Sequence, residues 1–145
     1  MKKLSIFFVS VLALGLSVSC SSNDDDKASL EGKWEVYQNG TIVDGKEKLT
    51  PVVSEGGCNK DVFEIQTGGT FIDHYSQYSN SKCNDYSENG TWTRKDNTIT
   101  IKYDGESSVN DAEILVLNET TLKLKYTYTN QSETTEIYVV EFKRI

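Results

Sequence analysis

The chain has 145 residues, enough for one compact domain with a single core, and its 22 acidic against 15 basic residues give a formal charge of −7. Without residues 1–19 it loses Lys2 and Lys3, leaving 13 basic against 22 acidic residues and a formal charge of −9. Phosphate-backbone binding needs a basic face, and no cluster of lysine or arginine stands in this remaining part, which argues against nucleic acid as a partner.

Lys2 and Lys3 precede an apolar run, Leu4 to Val18, interrupted only by serine and glycine. A positive start followed by a short apolar stretch is the layout of a secretory signal. The run is too short for a spanning helix, which needs about 20 apolar residues. Ser17-Val18-Ser19-Cys20 resembles a bacterial lipobox, with Leu16 one place ahead of the usual leucine position, which Ser17 fills. That resemblance implies cleavage before Cys20 and acylation of its sulfur, so that Cys20 holds the protein to the outer membrane. Residues 20–28 are small, polar and acidic, too poor in apolar area to fold, and read as a flexible tether. Acidic residues soon after a lipidated cysteine, here Asp24 to Asp26, resemble surface-export signals of Bacteroidetes lipoproteins. Exposure at the cell surface follows from that likeness, while a plain spacer implies the periplasmic face; both orientations stay open.

Residues 29–145 form the expected folded domain. Their pattern has period two almost throughout, the mark of half-buried antiparallel strands. In TLKLKYTYT, Leu122, Leu124, Tyr126 and Tyr128 share one face and lysines and threonines the other. NTITIKY turns Ile99, Ile101 and Tyr103 the same way; GKWEVYQ pairs Trp34 with Val36, and DVFEIQ pairs Phe63 with Ile65. GTFIDHYSQY, NGTWTRK, DAEILVLN and TTEIYVVEFKR bring the count to about eight strands. No window carries a helical stripe. Gly68-Gly69, Lys95-Asp96-Asn97 and Asn118-Glu119 supply turn chemistry, and longer polar loops are expected at 39–59, 79–89 and 104–111. Such a meander leaves two open edges unless it closes, so the fold class expected is all-β, an eight-stranded antiparallel up-and-down barrel. An open sandwich of two sheets is the rival, disfavoured by short hairpins from end to end.

With Cys20 assigned to lipid, Cys58 and Cys83 remain as an even pair in an oxidising compartment, and a Cys58–Cys83 disulfide is expected. Neither has a second cysteine or a histidine at metal-ligand spacing, and nothing else in the sequence points to a metal or a cofactor.

Gly32-Lys33-Trp34 resembles the Gly-x-Trp that opens the first strand of lipocalins, and Leu30 to Trp34, Gly90 to Trp92, Asn97 to Ile101 and Thr120 to Leu124 follow the order of the small lipocalin-like domains of Bacteroidetes lipoproteins, which residues 29–145 resemble. The resemblance implies that a basic residue on the last strand, Arg144, covers Trp34 and closes the barrel floor through a cation–π contact. The chain lacks an obvious C-terminal helix, where it departs from the larger lipocalins.

Catalytic chemistry is hard to find. The lone histidine, His74, shares a strand face with Ile72 and Ser76, opposite Phe71, Asp73 and Tyr75, and has no nucleophile–base arrangement around it. Asp24 to Asp26 lack the glycine and distal glutamate of a calcium loop. Asn39-Gly40-Thr41, Asn89-Gly90-Thr91 and Asn118-Glu119-Thr120 read as turns. The inward residues expected are Phe63, Phe71, Tyr75, Trp92, Ile99, Ile101, Leu122, Leu124, Tyr126, Tyr128 and Val139. A packed core is expected near Trp34. At the opposite mouth Tyr75, Trp92, Tyr126 and Tyr128 are the ligand-binding candidates, because buried hydroxyls need partners and suit an amphipathic molecule. The function expected is a non-catalytic, membrane-anchored module for a small apolar or amphipathic ligand. The alternative is an interaction or inhibitor lipoprotein that grips another protein through its long loops.

Overall fold

The structure is a computed structural model that describes residues 28–129 and 135–145. The expected signal segment 1–19, Cys20 and the tether up to Lys27 lie outside the described residues. Nine strands follow one another: β1 (Gly32–Val43), β2 (Lys46–Pro51), β3 (Val62–Gln66), β4 (Thr70–Ser79), β5 (Lys82–Lys95), β6 (Thr98–Tyr103), β7 (Asn110–Leu117), β8 (Thr121–Thr129) and β9 (Thr135–Arg144). All pairings are antiparallel between sequential neighbours, except that β1 also pairs with β3 and with β9.

The β1–β9 pairing runs from Trp34↔Arg144 to Thr41↔Tyr138 and closes the sheet on itself. On its other edge β1 meets β3 through Gly32–Glu35 and β2 through Gln38–Val43, so β2 and β3 share one position. The ring therefore has eight positions, and the sandwich is excluded. Closure removes the open edges that a meander of this length would otherwise expose.

Two expected loops are largely strand. Within 39–59, β1 continues to Val43, Asp44 and Gly45 turn at φ 53° and 72°, and β2 returns to Pro51. Within 79–89, β4 and β5 meet at Asn80-Ser81 with φ 52° and 59°, a two-residue turn whose positive φ values match the twist of the strands. Both hairpins extend past the barrel wall and carry few apolar residues, so they have no alternation to read.

The two N-G-T stretches at 39–41 and 89–91 are strand as well, inside β1 and β5. Their glycines serve close approach: a Cβ at Gly40 would overlap the Lys48 carbonyl, and one at Gly90 the Lys102 carbonyl and the Phe71 ring. Only Asn118–Thr120 turns, its Oδ1 accepting from the backbone N–H of Thr120 and Thr121.

The disulfide joins Cys58 to Cys83 with Cα atoms 5.5 Å apart, tying the irregular strap 52–61 to the start of β5. Cys83 is thus a strand residue, not a loop residue.

The core fills the lower barrel. Trp34, Phe71, Ile65, Ile99, Leu122 and Leu124 are fully buried there. At the floor the Trp34 indole N–H donates to the Leu30 carbonyl at 2.8 Å, and the Arg144 guanidinium lies 4.1 Å from the centroid of the Trp34 ring. Arg144 also donates to the carbonyls of Glu31 (2.8 Å) and Ser29 (2.5 Å), stapling the chain entry to the last strand.

Val139 is buried but does not point inward. A bulge between Val36 and Gln38 sets Asn39 opposite Val140 and Gly40 opposite Val139, while Leu122 and Leu124 face Phe142 and Val140. Val140 and Phe142 pack with the core; Val139 lies on the outer face. The β1–β2 hairpin curls over that face, far enough for Glu47 of β2 to meet Lys123 of β8 at 2.9 Å, with Lys123 in turn 3.4 Å from Glu141 of β9.

Candidate functional site

The floor turns lie at 67–69, 96–97 and 118–120; the opposite end is framed by the strap 52–61, the β4–β5 hairpin and the 104–109 loop. Above the packed layer the barrel opens into a cavity of about 250 Å³. Val36, Phe63, Ile101, Val140 and Phe142 make its apolar wall, Val52 and Asp61 come from the strap, and Asn39, Asp73, Tyr103 and Tyr126 add polar groups.

Alternation along β4 puts Asp73 inside. Phe71 is buried, Asp73 and Tyr75 follow on the same face, and their partners across the ladder are Gly90, Glu88 and Tyr86. Tyr103, at the end of β6, donates its hydroxyl to Asp73 Oδ2 at 2.8 Å and packs edge-on to Phe71 at 5.1 Å. Burial raises the Asp73 carboxyl above the ordinary aspartate range; the Tyr103 bond opposes that, and the neighbouring Asp61 and Glu88 charges reinforce it. Burial and the Asp73 charge push the Tyr103 hydroxyl far up, and the same two causes bring Tyr126 to about 12. Both tyrosines therefore stay neutral hydrogen-bond donors.

The four sequence candidates separate. Tyr126 lines the cavity. Tyr75 stands at the mouth, stacked on Tyr86 at 5.4 Å with its hydroxyl on Glu88 at 3.0 Å. Tyr128, 63% exposed, lies beyond the wall. Trp92 faces inward but at the floor end, where its indole N–H donates to the Gln66 carbonyl at 3.1 Å and its backbone N–H to Gly69. Trp92 stands four residues before Asp96 of the floor turn, which places its indole below the cavity.

Asp73, Tyr103 and Asp61 were missed as site residues. The available signal was an acid between Phe71 and Tyr75 on one face; its meaning depends on depth in the barrel, which period two does not give.

His74 points outward, 3.5 Å from Glu64, which Lys33 also approaches at 3.0 Å. A shallow outer depression of about 410 Å³ passes beside it, bounded by Lys33, Val62, Asp85 and Ile145. It is wider than the calyx but open to solvent, and among the described residues no nucleophile is hydrogen-bonded to the imidazole. Among the described residues no group of three or more histidine, cysteine, aspartate or glutamate side chains is arranged to hold a metal ion.

The model of the lipocalin-like domain matches residues 30–124. Among solved structures, a lipocalin-like protein from Bacteroides uniformis superposes with a TM-score of 0.54 at 17% identity, covering 80% of this chain and 98% of that one. An uncharacterized protein from Bacteroides eggerthii gives 0.53 at 14% identity, covering 81% and 100%. None of the curated proteins matches. At these identities the two structures speak for the fold.

Proposed function

The chain belongs to the lipocalin-like domain family, and on that premise we propose that it is a non-catalytic binding module whose calyx takes a small apolar or amphipathic ligand. The observation that carries this reading is the cavity of about 250 Å³ between the packed floor and the mouth, apolar around its wall and polar at Asp73, Tyr103 and Tyr126. A core built only for stability would fill that space, because voids forfeit contacts and cost stability. The strap held by Cys58–Cys83 contributes Val52 and Asp61 to the opening and fixes its shape.

The binding test is native mass spectrometry of the purified full chain, followed by a panel of neutral, anionic and cationic amphiphiles, on the wild type and on Ile101→Trp. The indole of that variant would occupy the calyx. A ligand retained or bound by the wild type and lost in Ile101→Trp supports the reading. Equal behaviour of the two proteins refutes it.

We further propose attachment to the outer membrane through acylated Cys20, with residues 20–28 as the tether. Incorporation of labelled palmitate that disappears in Cys20→Ser is the supporting result. Protease accessibility on intact cells assigns the face.

A second reading is favoured by the tyrosines around the mouth. Tyr78, Tyr86, Tyr128 and Tyr138 are all exposed, and Val53 on the strap is 86% exposed. Exposed aromatic groups of this kind suit a protein partner at the rim. Capture of one partner by the wild type, lost in a Tyr86→Ser/Tyr128→Ser double variant that keeps ligand binding, would establish it.

A further inference from the structure

The polarity of the calyx is one-sided. Among the described residues no lysine, arginine or histidine lines it, whereas Asp73 and Asp61 do, and Glu88 stands across the ladder from Asp73. Among the described residues one bond reaches the Asp73 carboxylate, from Tyr103 to Oδ2, and none reaches Oδ1. Tyr126 lines the same cavity and adds a second tyrosine hydroxyl to its polar side. A carboxylate held in such a place is destabilised by desolvation and by two like charges, as its raised pKa reflects. Tyr103 contributes no positive charge, so the deficit persists in the folded protein. The Tyr103 bond needs an acceptor at 73 but not a charge, since a neutral amide oxygen there would accept it as well.

Resting on the calyx reading above, we propose that the ligand is a small apolar cation: an ammonium head at Asp73, flanked by Tyr103 and Tyr126, and an apolar body against Phe63, Ile101 and Phe142. The carboxylate gives the head its counter-charge, and the aromatic faces attract the cation through their quadrupoles. The neutral tyrosine hydroxyls complete its surroundings. The size follows from the volume: a cavity of about 150 Å³ accommodates benzene, so 250 Å³ accommodates roughly ten non-hydrogen atoms. A carboxylate of that size would meet two acids with no cation to offset them, so the calyx rejects fatty-acid-like anions.

The test is isothermal titration calorimetry of the full chain at pH 7 with three probes of similar shape: 2-phenylethylammonium, 2-phenylethanol and 3-phenylpropanoate. The ammonium should bind at least tenfold more tightly than the alcohol, and the carboxylate most weakly. Asp73→Asn should weaken the ammonium at least tenfold while leaving the alcohol within about threefold. Should Asp73→Asn fold poorly, Asp61→Asn should lower the ammonium affinity alone by a smaller factor. A carboxylate bound as tightly as the ammonium overturns the proposal and leaves the calyx reading standing. No binding of any probe also overturns it, while the Ile101→Trp comparison decides the calyx reading separately.

Discussion

Arg144→Ala tests the floor. The guanidinium makes two charge-assisted bonds to the carbonyls of Ser29 and Glu31 and covers the fully buried Trp34 ring. Bonds to a charged group contribute about 1.5–3 kcal/mol each, and both carbonyls lie near solvent, so the low end applies. The stack adds about 1 kcal/mol. One term opposes these: Arg144 Nε is buried without a partner, and removing it relieves roughly 1–2 kcal/mol. The net expectation is a loss of about 2–3 kcal/mol. With a urea m-value of about 1.5 kcal/mol per M, the midpoint falls by roughly 1.3–2 M. Far-UV circular dichroism in urea measures it, and amide exchange should show residues 28–31 losing protection first. Arg144→Lys keeps the charge but not the fork, so it should recover less than half. A midpoint for Arg144→Ala equivalent to less than about 0.5 kcal/mol of change, or a full recovery by lysine, would refute the argument.

Replacing Cys58 and Cys83 together by serine should cost up to about 3.5 kcal/mol by the chain-entropy relation for a 25-residue separation, read as the difference in urea midpoints with and without the bridge. The acid limb of stability should carry two opposite contributions. For Glu141, burial works to raise the carboxyl but bonds from Lys143 and Gln38 and the nearby Lys123 hold it below 4.5; its stabilisation is present above pH 4.5 and is lost as the pH falls through the depressed value. Asp73 has the reverse sign: its folded pKa is raised, so its contribution is complete below 3.8 and is lost as the pH rises through the raised value. Asp73→Asn should therefore be more stable than wild type at pH 7, with the gain vanishing below pH 3.8 in urea titrations at several pH values. Gly90→Ala would drive a methyl group into the Phe71 ring and the Lys102 carbonyl, and should lower stability by about 1–3 kcal/mol in the same assay.

A stabilising Asp73→Asn that weakens cation binding would place Asp73 among residues kept for binding at the expense of stability. The Glu141 side chain gives the contrast. It is 8% exposed on the outer face, yet Lys123, Lys143 and Gln38 satisfy it, and it strengthens the fold. A buried and a half-buried acid in one barrel thus differ in whether a protein cation among the described residues bonds them.

Local chemistry made much of the architecture legible. Alternation is a property of successive residues, so Leu122-Lys123-Leu124-Lys125-Tyr126 announces its strand and its inward face without reference to any other part of the chain. Cys58 and Cys83 could be paired by elimination, and the structure bears the disulfide out. Features set by long-range geometry were not legible. The bulge at Val36/Gln38 lies in β1 and shifts which β1 residues face inward, bringing Asn39 onto the face of Val36; β9 alternates regularly from Phe142 and Val140, which leaves Val139 outside. β2 escaped notice because its exposed residues alternate nothing apolar, and it is the curl of its hairpin that covers Val139. Above all, period two tells which face a residue takes but not its height along the barrel axis. That height depends on the stagger between strands around a closed ring, and it alone sends Trp92 to the floor, leaves Tyr128 in solvent, and brings Asp73 and Tyr103, thirty residues apart in the chain, to 2.8 Å inside the calyx.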